Sequence, residues 1–175
     1  MTLVFYRAKK KIENEIKKVF DNSSDKILDI GCGINPWYHQ IIKGSLTRFD
    51  IIDDKNHIDV TGSMEHLPFE DESFDKIISI NALYFSSEPK KAFAEIARVL
   101  KKDGKTFLVT PFMHPIHHVP HDKYRFSEYA FVSLFPKNVI DMKIIPVRGI
   151  FSLPLMLVHS LIKGIPLLFA KSLKK

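Results

Sequence analysis

The sequence predicts an α/β fold in which a mostly parallel β-sheet carries helices on both faces. Three observations predict it. Apolar runs of strand length recur along residues 26–110, and amphipathic stretches with helical spacing lie before and between them. The first of these runs stops abruptly on a glycine turn. The 175 residues are enough for one domain with a full core, and 45% apolar against 26% charged residues is ordinary for a soluble globular chain.

Val4, Phe5, Ile12, Ile16, Val19 and Phe20 recur at roughly helical spacing with lysines between them, an amphipathic lead-in helix that 22–25 ends. Lys26 to Ile30 reads as the first strand. Trp37 to Lys43 reads as a helix with Pro36 near its first turn. Leu46 to Ile52 is a second strand, His57 to Val60 a brief third and Lys76 to Ile80 a fourth, entered from the turn-like run 70–73. Phe93, Ile96, Ala97 and Leu100 share one face of a helix over 89–100. Residues 102–105 form a turn into a fifth strand, Lys105 to Thr110. Ser127 can cap a helix from Glu128 to Leu134, and Val139 to Val147 reads as a sixth strand. In such a sheet ligands sit beyond the carboxyl ends of the strands, so 29–35, 50–54, 61–65, 81–85 and 111–125 should share one rim.

The stretch "ILDIGCGINPW", residues 27–37, carries the first chemical signal. Gly31 and Gly33 can take positive φ and leave the backbone bare for a ligand. Asp50 follows Gly31 by about 20 residues and ends the next strand, the spacing of an acid that reads ribose hydroxyls. The third glycine of the dinucleotide fingerprint is missing, which counts against a nicotinamide-dependent oxidoreductase, and there is no GKS or GKT for a phosphate-cradling loop.

Beyond "LDIGCG", the chain has "FDI" at the second strand, then "DVTGSMEHLPFEDESFDKIISINAL" and "AEIARVLKKDGKTFLV". In this order the pieces resemble the class I S-adenosylmethionine-dependent methyltransferases, of the methyltransferase type 11-like kind, over roughly residues 25–135. The resemblance implies a Rossmann-like sheet and S-adenosylmethionine as cofactor. It implies backbone contact from Gly31, Cys32 and Gly33 to the methionine end, Asp29 near its ammonium, and Asp50 accepting both ribose hydroxyls. Ile51 would pack on adenine, Ser63 and Met64 would border the adenine edge, and Asn81 would sit near the methionine moiety. The family's usual sheet has a seventh strand, antiparallel at the edge. None is read after residue 147, so this C-terminus is expected to be truncated or atypical.

A second unusual stretch, "TPFMHPIHHVPHDKYRFS", spans 110–127. It resembles a loop in one branch of the same methyltransferases, through Pro111, Phe112, His117, Pro120, His121, Asp122, Tyr124, Arg125, Phe126 and Ser127. Three readings stay open. His117 or His121 could take a proton from the methyl acceptor, since histidine titrates near neutral pH. The loop could be structural, with Asp122 and Arg125 clamping its base. A metal site is disfavoured, because Pro115 and Pro120 oppose the helix on which an i, i+4 histidine pair would meet and no cysteine stands nearby. No metal is expected.

Residues 1–148 read as the cofactor-binding domain and 149–175 as an apolar helical tail, either part of that domain or interfacial with a membrane. Pro154, His159, Lys163, Gly164 and Pro166 interrupt the tail, and a lysine near its centre opposes a bilayer span. Residues 1–20 carry six Lys/Arg against two acids and 137–175 seven against one, whereas 21–136 is net acidic. Basic ends read either as solvated helix faces or as docking to an anionic surface. A nucleic-acid partner is disfavoured, because the basic charge avoids the rim. A small-molecule or lipid-linked methyl acceptor is favoured, with peripheral membrane contact through the tail; oligomeric state is not legible. Cys32 is the single cysteine, which excludes an internal disulfide and fits a cytoplasmic, reducing setting. The rival from another class is a catalytically silent cofactor-binding or membrane-associated module.

Overall fold

The computed structural model describes residues 3–112, 116, 118–136 and 143–146. The chain divides into two units, one of residues 13–144 and one of residues 1–12 with 145–175. In the latter, Lys11 Nζ donates to the Pro146 carbonyl oxygen at 2.7 Å. The apolar tail expected at 149–170 and most of the expected sixth strand lie outside the described residues; 143–146 form no strand.

The elements are α1 (Leu3–Val19), β1 (Lys26–Ile30), β2 (Ser45–Asp50), β3 (Val60–Thr61), β4 (Phe74–Ile80), α2 (Pro89–Val99), β5 (Leu100–Val109) and α3 (Glu128–Leu134). The strands form one parallel sheet in the order β3-β2-β1-β4-β5. The chain runs outward from β1 to β3, then crosses back to place β4 on the other side of β1. The topological switch point therefore falls between β1 and β4, beside the glycine turn.

Pairing Leu28 with Ile77 and Ile77 with Thr106 puts Phe107 on the face opposite to Leu28 and Ile77. On the Leu28 side, Phe93 of α2 meets Phe126, Phe131 and Phe135 at ring distances of 6.1, 5.5 and 4.8 Å. Leu28, Ile30, Phe49, Ile77, Phe93, Ile96 and Val99 belong to one buried cluster there. On the other side Phe20, fully buried just past α1, meets Phe107 edge to face at 6.3 Å. The sheet thus has both faces covered, as parallel sheets require.

Several expected elements change length: the second strand is Ser45–Asp50 instead of 46–52, and the fourth starts at Phe74 instead of Lys76. The helix expected at 37–43 is a single 3-10 turn, His39–Ile41. Seven residues repay the cost of helix nucleation poorly, and two of them, Ile41 and Ile42, are β-branched. The brief third strand is Val60–Thr61 instead of 57–60. The turn expected at 102–105 is absorbed into β5, where the register against β4 shifts between Phe74 and Lys76. The cap expected at Ser127 is present: its Oγ accepts the Ala130 N–H at 3.2 Å.

Candidate functional site

β1 ends at Ile30 and the chain turns on Gly31 (φ 70°), Gly33 (φ 63°) and Asn35 (φ 50°). The two glycines are needed for different reasons. A Cβ on Gly31 would stand 2.2 Å from the Ala82 Cβ, so this residue lets the turn after β1 press against the turn after β4. A Cβ on Gly33 would meet nothing within 4 Å. Open space lies over Gly33.

Asp50 ends β2 and is 7% exposed. Its Oδ2 accepts the Gly33 N–H at 2.7 Å and its Oδ1 accepts the Ile52 N–H at 3.0 Å. A carboxylate has about four lone-pair sites, so each oxygen keeps acceptor capacity after these bonds. Asp50 therefore pins the glycine turn and still offers two acceptors beside the open space. The Gly31 and Cys32 N–H groups both point at the Phe49 carbonyl oxygen, at 2.8 and 3.3 Å. Cys32 is buried; burial first, then the charges of Asp29 and Asp50, push its thiol up to about 12, so it is inert as a nucleophile.

Asp29 has no exposed surface. Its Oδ2 lies 2.6 Å from His39 Nε2, and its Oδ1 accepts the Tyr38 hydroxyl at 3.2 Å. Burial raises its carboxyl above the usual range despite these partners. Ile51 is 76% exposed just past β2, and Asn81 (φ 57°) is exposed just past β4, its N–H donating to the Val109 carbonyl oxygen at 2.8 Å. Met64 packs against the core cluster.

Ser63 donates to Glu65, a residue that no sequence pattern singles out. Glu65 Oε1 also accepts the Ser86 hydroxyl at 2.6 Å and the Ser87 N–H at 2.7 Å. It so ties the loop after β3 to the start of α2. Burial works to raise the Glu65 carboxyl, but the hydrogen bonds from Ser63, Ser86 and Ser87 outweigh it and bring it down to about 2. A depressed carboxyl adds stability that is complete above its ordinary value of 4.5 and is lost as pH falls from there toward about 2. Glu65→Gln is expected to cost about 1–2 kcal/mol at neutral pH, the scale of charge-assisted hydrogen bonds reduced for solvent access. Urea melts should show that gap closing near pH 3; an equal gap at both pH values would remove the charge from the explanation.

The loop at 118–127 is anchored on the turn after β4. The Lys123 and Tyr124 N–H groups donate to the Tyr84 carbonyl oxygen at 3.3 and 3.2 Å, and Lys123 Nζ donates to Ser87 Oγ at 2.7 Å. Arg125 pairs with Asp122, as expected for the clamp, and its guanidinium sits 5.6 Å from the Tyr84 ring centre. His118 meets Phe85 edge to face at 5.8 Å. His121 is exposed on the turn that its N–H closes onto the His118 carbonyl oxygen. His117 lies outside the described residues. Among the described residues no group of His, Cys, Asp and Glu could hold a metal ion.

The sequence brought Asp29, the glycine turn, Asp50, Ser63 and Asn81 to one rim, and the structure places them there. Tyr38, His39 and Glu65 were missed. Tyr38 and His39 lie in the segment expected as a helix, and their contacts with Asp29 reach back across the glycine turn to β1, beyond any local pattern.

Residues 28–108 match a family model described as a methyltransferase domain. An uncharacterized protein of Methanocaldococcus jannaschii is 34% identical over 103 residues, covering 53% of this chain and 44% of its own. The uncharacterized methyltransferase YcgJ of Bacillus subtilis is 44% identical over 61 residues, covering 35% and 22%. The chain spans less than half the length of these curated relatives. A solved structure from Bacillus halodurans superposes with a TM-score of 0.58 over 70% of this chain and 65% of its own, at 18% identity, a likeness of fold. The cyclase SpnF matches with the same TM-score at 19% identity, over 71% and 54%. No helix among the described residues is long and apolar enough to cross a membrane.

Proposed function

We propose that the chain, whose residues 28–108 match a family model described as a methyltransferase domain, transfers the methyl group of S-adenosylmethionine to a small or lipid-linked acceptor held over the ends of β1 and β4. The observation that carries the reading is Asp50, which pins Gly33 and keeps acceptor capacity beside the open space over that glycine. A ribose needs such an acceptor pair, and a cofactor without phosphate needs no third glycine. The bound cofactor supplies an electrophilic methyl on a sulfonium. Asp50 would accept the two ribose hydroxyls, exposed Ile51 would cover adenine with Ser63 and Met64 at its edge, and Asn81 and the Gly31–Gly33 backbone would flank the methionine end. Asp29 supplies the charge complementary to the ammonium.

The chain's part in the reaction is alignment of donor and acceptor, with proton removal where the acceptor atom carries a proton. His121 and His117 are the candidates for that proton. The bonds from Lys123 and Tyr124 to Tyr84 and Ser87 support His121 in this role, because they hold that part of the loop beside the turn after β4. The basic ends of the chain favour a lipid-linked over a nucleic-acid acceptor.

A thermal-shift screen tests the cofactor step. S-adenosylmethionine and S-adenosylhomocysteine are expected to raise Tm by the linkage of binding to folding, whereas NAD and ATP leave it unchanged. A shift with NAD and none with the sulfur cofactors would overturn the reading.

A further inference from the structure

Asn35 breaks the pattern of the glycine turn. It holds φ 50°, a left-handed backbone that glycine adopts freely and that a side chain opposes. A side chain kept in that conformation points to a task for it. Its amide Nδ2 lies 3.0 Å from His57 Nε2, and His57 Nδ1 lies 3.1 Å from Asp54 Oδ2. An amide nitrogen only donates and a carboxylate only accepts. With the amide so turned, the ring carries its proton on Nδ1, toward Asp54, and receives Asn35 at the Nε2 lone pair.

His57 is presented from a fixed base. The Asp54 carbonyl oxygen accepts the His57 and Ile58 N–H groups at 3.0 and 2.7 Å, and its Oδ1 accepts the Asn56 N–H at 3.0 Å. The Asn56 N–H first, and then His57, hold the Asp54 carboxyl below the usual carboxylate range, so it stays an acceptor. Ile58 is buried, and Asp59 after it pairs with Arg48 of β2. The chain Asp54–His57–Asn35 therefore joins the loop after β2 to the loop after β1. Asp50 already joins them through Gly33, and Asn35 and His57 join them again further along the chain. A ligand in the open space over Gly33 lies between these two fastenings. Loops joined beforehand lose little freedom when a ligand arrives, whereas loops that the ligand must order weaken its binding.

We propose that Asn35 and His57 are positioning residues for the cofactor: the Asp54–His57–Asn35 chain fastens the glycine turn to the loop after β2 and so presets the gap that receives the ribose. The inference rests on the cofactor reading and adds to it an affinity set by side chains beyond Asp50 and the two glycines.

Titration calorimetry of the whole chain with S-adenosylhomocysteine, beside Tm measured without ligand, tests the role. Asn35→Gly removes the side chain and suits the backbone, so Tm should stay close to the parent's. Affinity should nevertheless fall about three- to tenfold, the effect of leaving one or two groups to be ordered on binding. His57→Gln sets an amide oxygen near the place of Nε2 and keeps an acceptor for Asn35, so it should bind within about twofold of the parent. His57→Asn keeps a donor for Asp54 but falls short of Asn35, and it should bind as weakly as Asn35→Gly. Joining His57→Asn to Asn35→Gly should weaken binding no further, because both break one contact. Asn35→Gly binding like the parent would overturn the proposal, as would His57→Gln binding no better than His57→Asn. Should a His57 variant fail to fold, Asn35→Gly and nitrogen-15 histidine spectra of the parent decide. Those spectra must show the His57 proton on Nδ1, and a proton on Nε2 overturns the role. Absence of parental binding would sink the cofactor reading and this proposal with it, whereas parental binding matched by Asn35→Gly overturns this proposal alone.

Discussion

Gly31→Ala is expected to cost about 2–5 kcal/mol of folding stability, the sum of left-handed strain and overpacking. The added Cβ would stand 2.2 Å from the Ala82 Cβ, and the residue sits at φ 70°. Neither neighbour can yield easily, because each turn is tied to a strand: the Gly31 N–H bonds the Phe49 carbonyl oxygen at 2.8 Å and the Asn81 N–H bonds that of Val109 at 2.8 Å. Gly33→Ala has the strain without the clash and should cost only about 1–2 kcal/mol. Adding Ala82→Gly to Gly31→Ala should recover about 1–3 kcal/mol, the steric share. Denaturant melts of the three variants separate the terms, and a Gly31→Ala protein as stable as the parent would show that the two turns do not touch.

Asp50→Ala is expected to weaken binding of S-adenosylhomocysteine by about 1.5–3 kcal/mol, a ten- to hundredfold loss, the scale of charge-assisted hydrogen bonds. It should also lower stability, because Asp50 holds the Gly33 and Ile52 N–H groups. Asp50→Asn separates the effects. Its amide oxygen can still accept the Gly33 N–H, so stability should largely return, whereas a single neutral acceptor cannot serve both that N–H and two ribose hydroxyls. Calorimetry in which Asp50→Asn binds like the parent would remove the ribose role while leaving the turn-pinning role intact.

Asp50 and the glycine turn are legible in the sequence because both depend on local order. A strand ends, a glycine follows, and an acid ends the next strand at a distance fixed by one crossover. The packing role of Gly31 is not legible, because Ala82 is brought to it only by the pairing of β1 with β4. The same holds for Glu65, whose partners Ser86 and Ser87 lie across a strand. The start of α2 is legible, since Pro89 and one apolar stripe define it locally. The turn in the 37–43 segment is not legible, because the contacts of Tyr38 and His39 with Asp29 reach back to β1 and the stretch has weak helical preference.

The sheet order has a consequence for the time course of folding. β1 pairs with β2 across a short crossover, Lys26 meeting Ser45, but with β4 across a long one, Ile27 meeting Lys76. Chain closure over the longer stretch costs more entropy before any contact repays it, so the β1–β4 seam is the slower to form. The contact of Gly31 with Ala82 and the bond from Ser79 Oγ to the Ile30 carbonyl oxygen both belong to that seam. The rim between β1 and β4 is therefore completed late, and a ligand seated there meets only chains that have already folded. Such a ligand slows unfolding and leaves the folding rate unchanged.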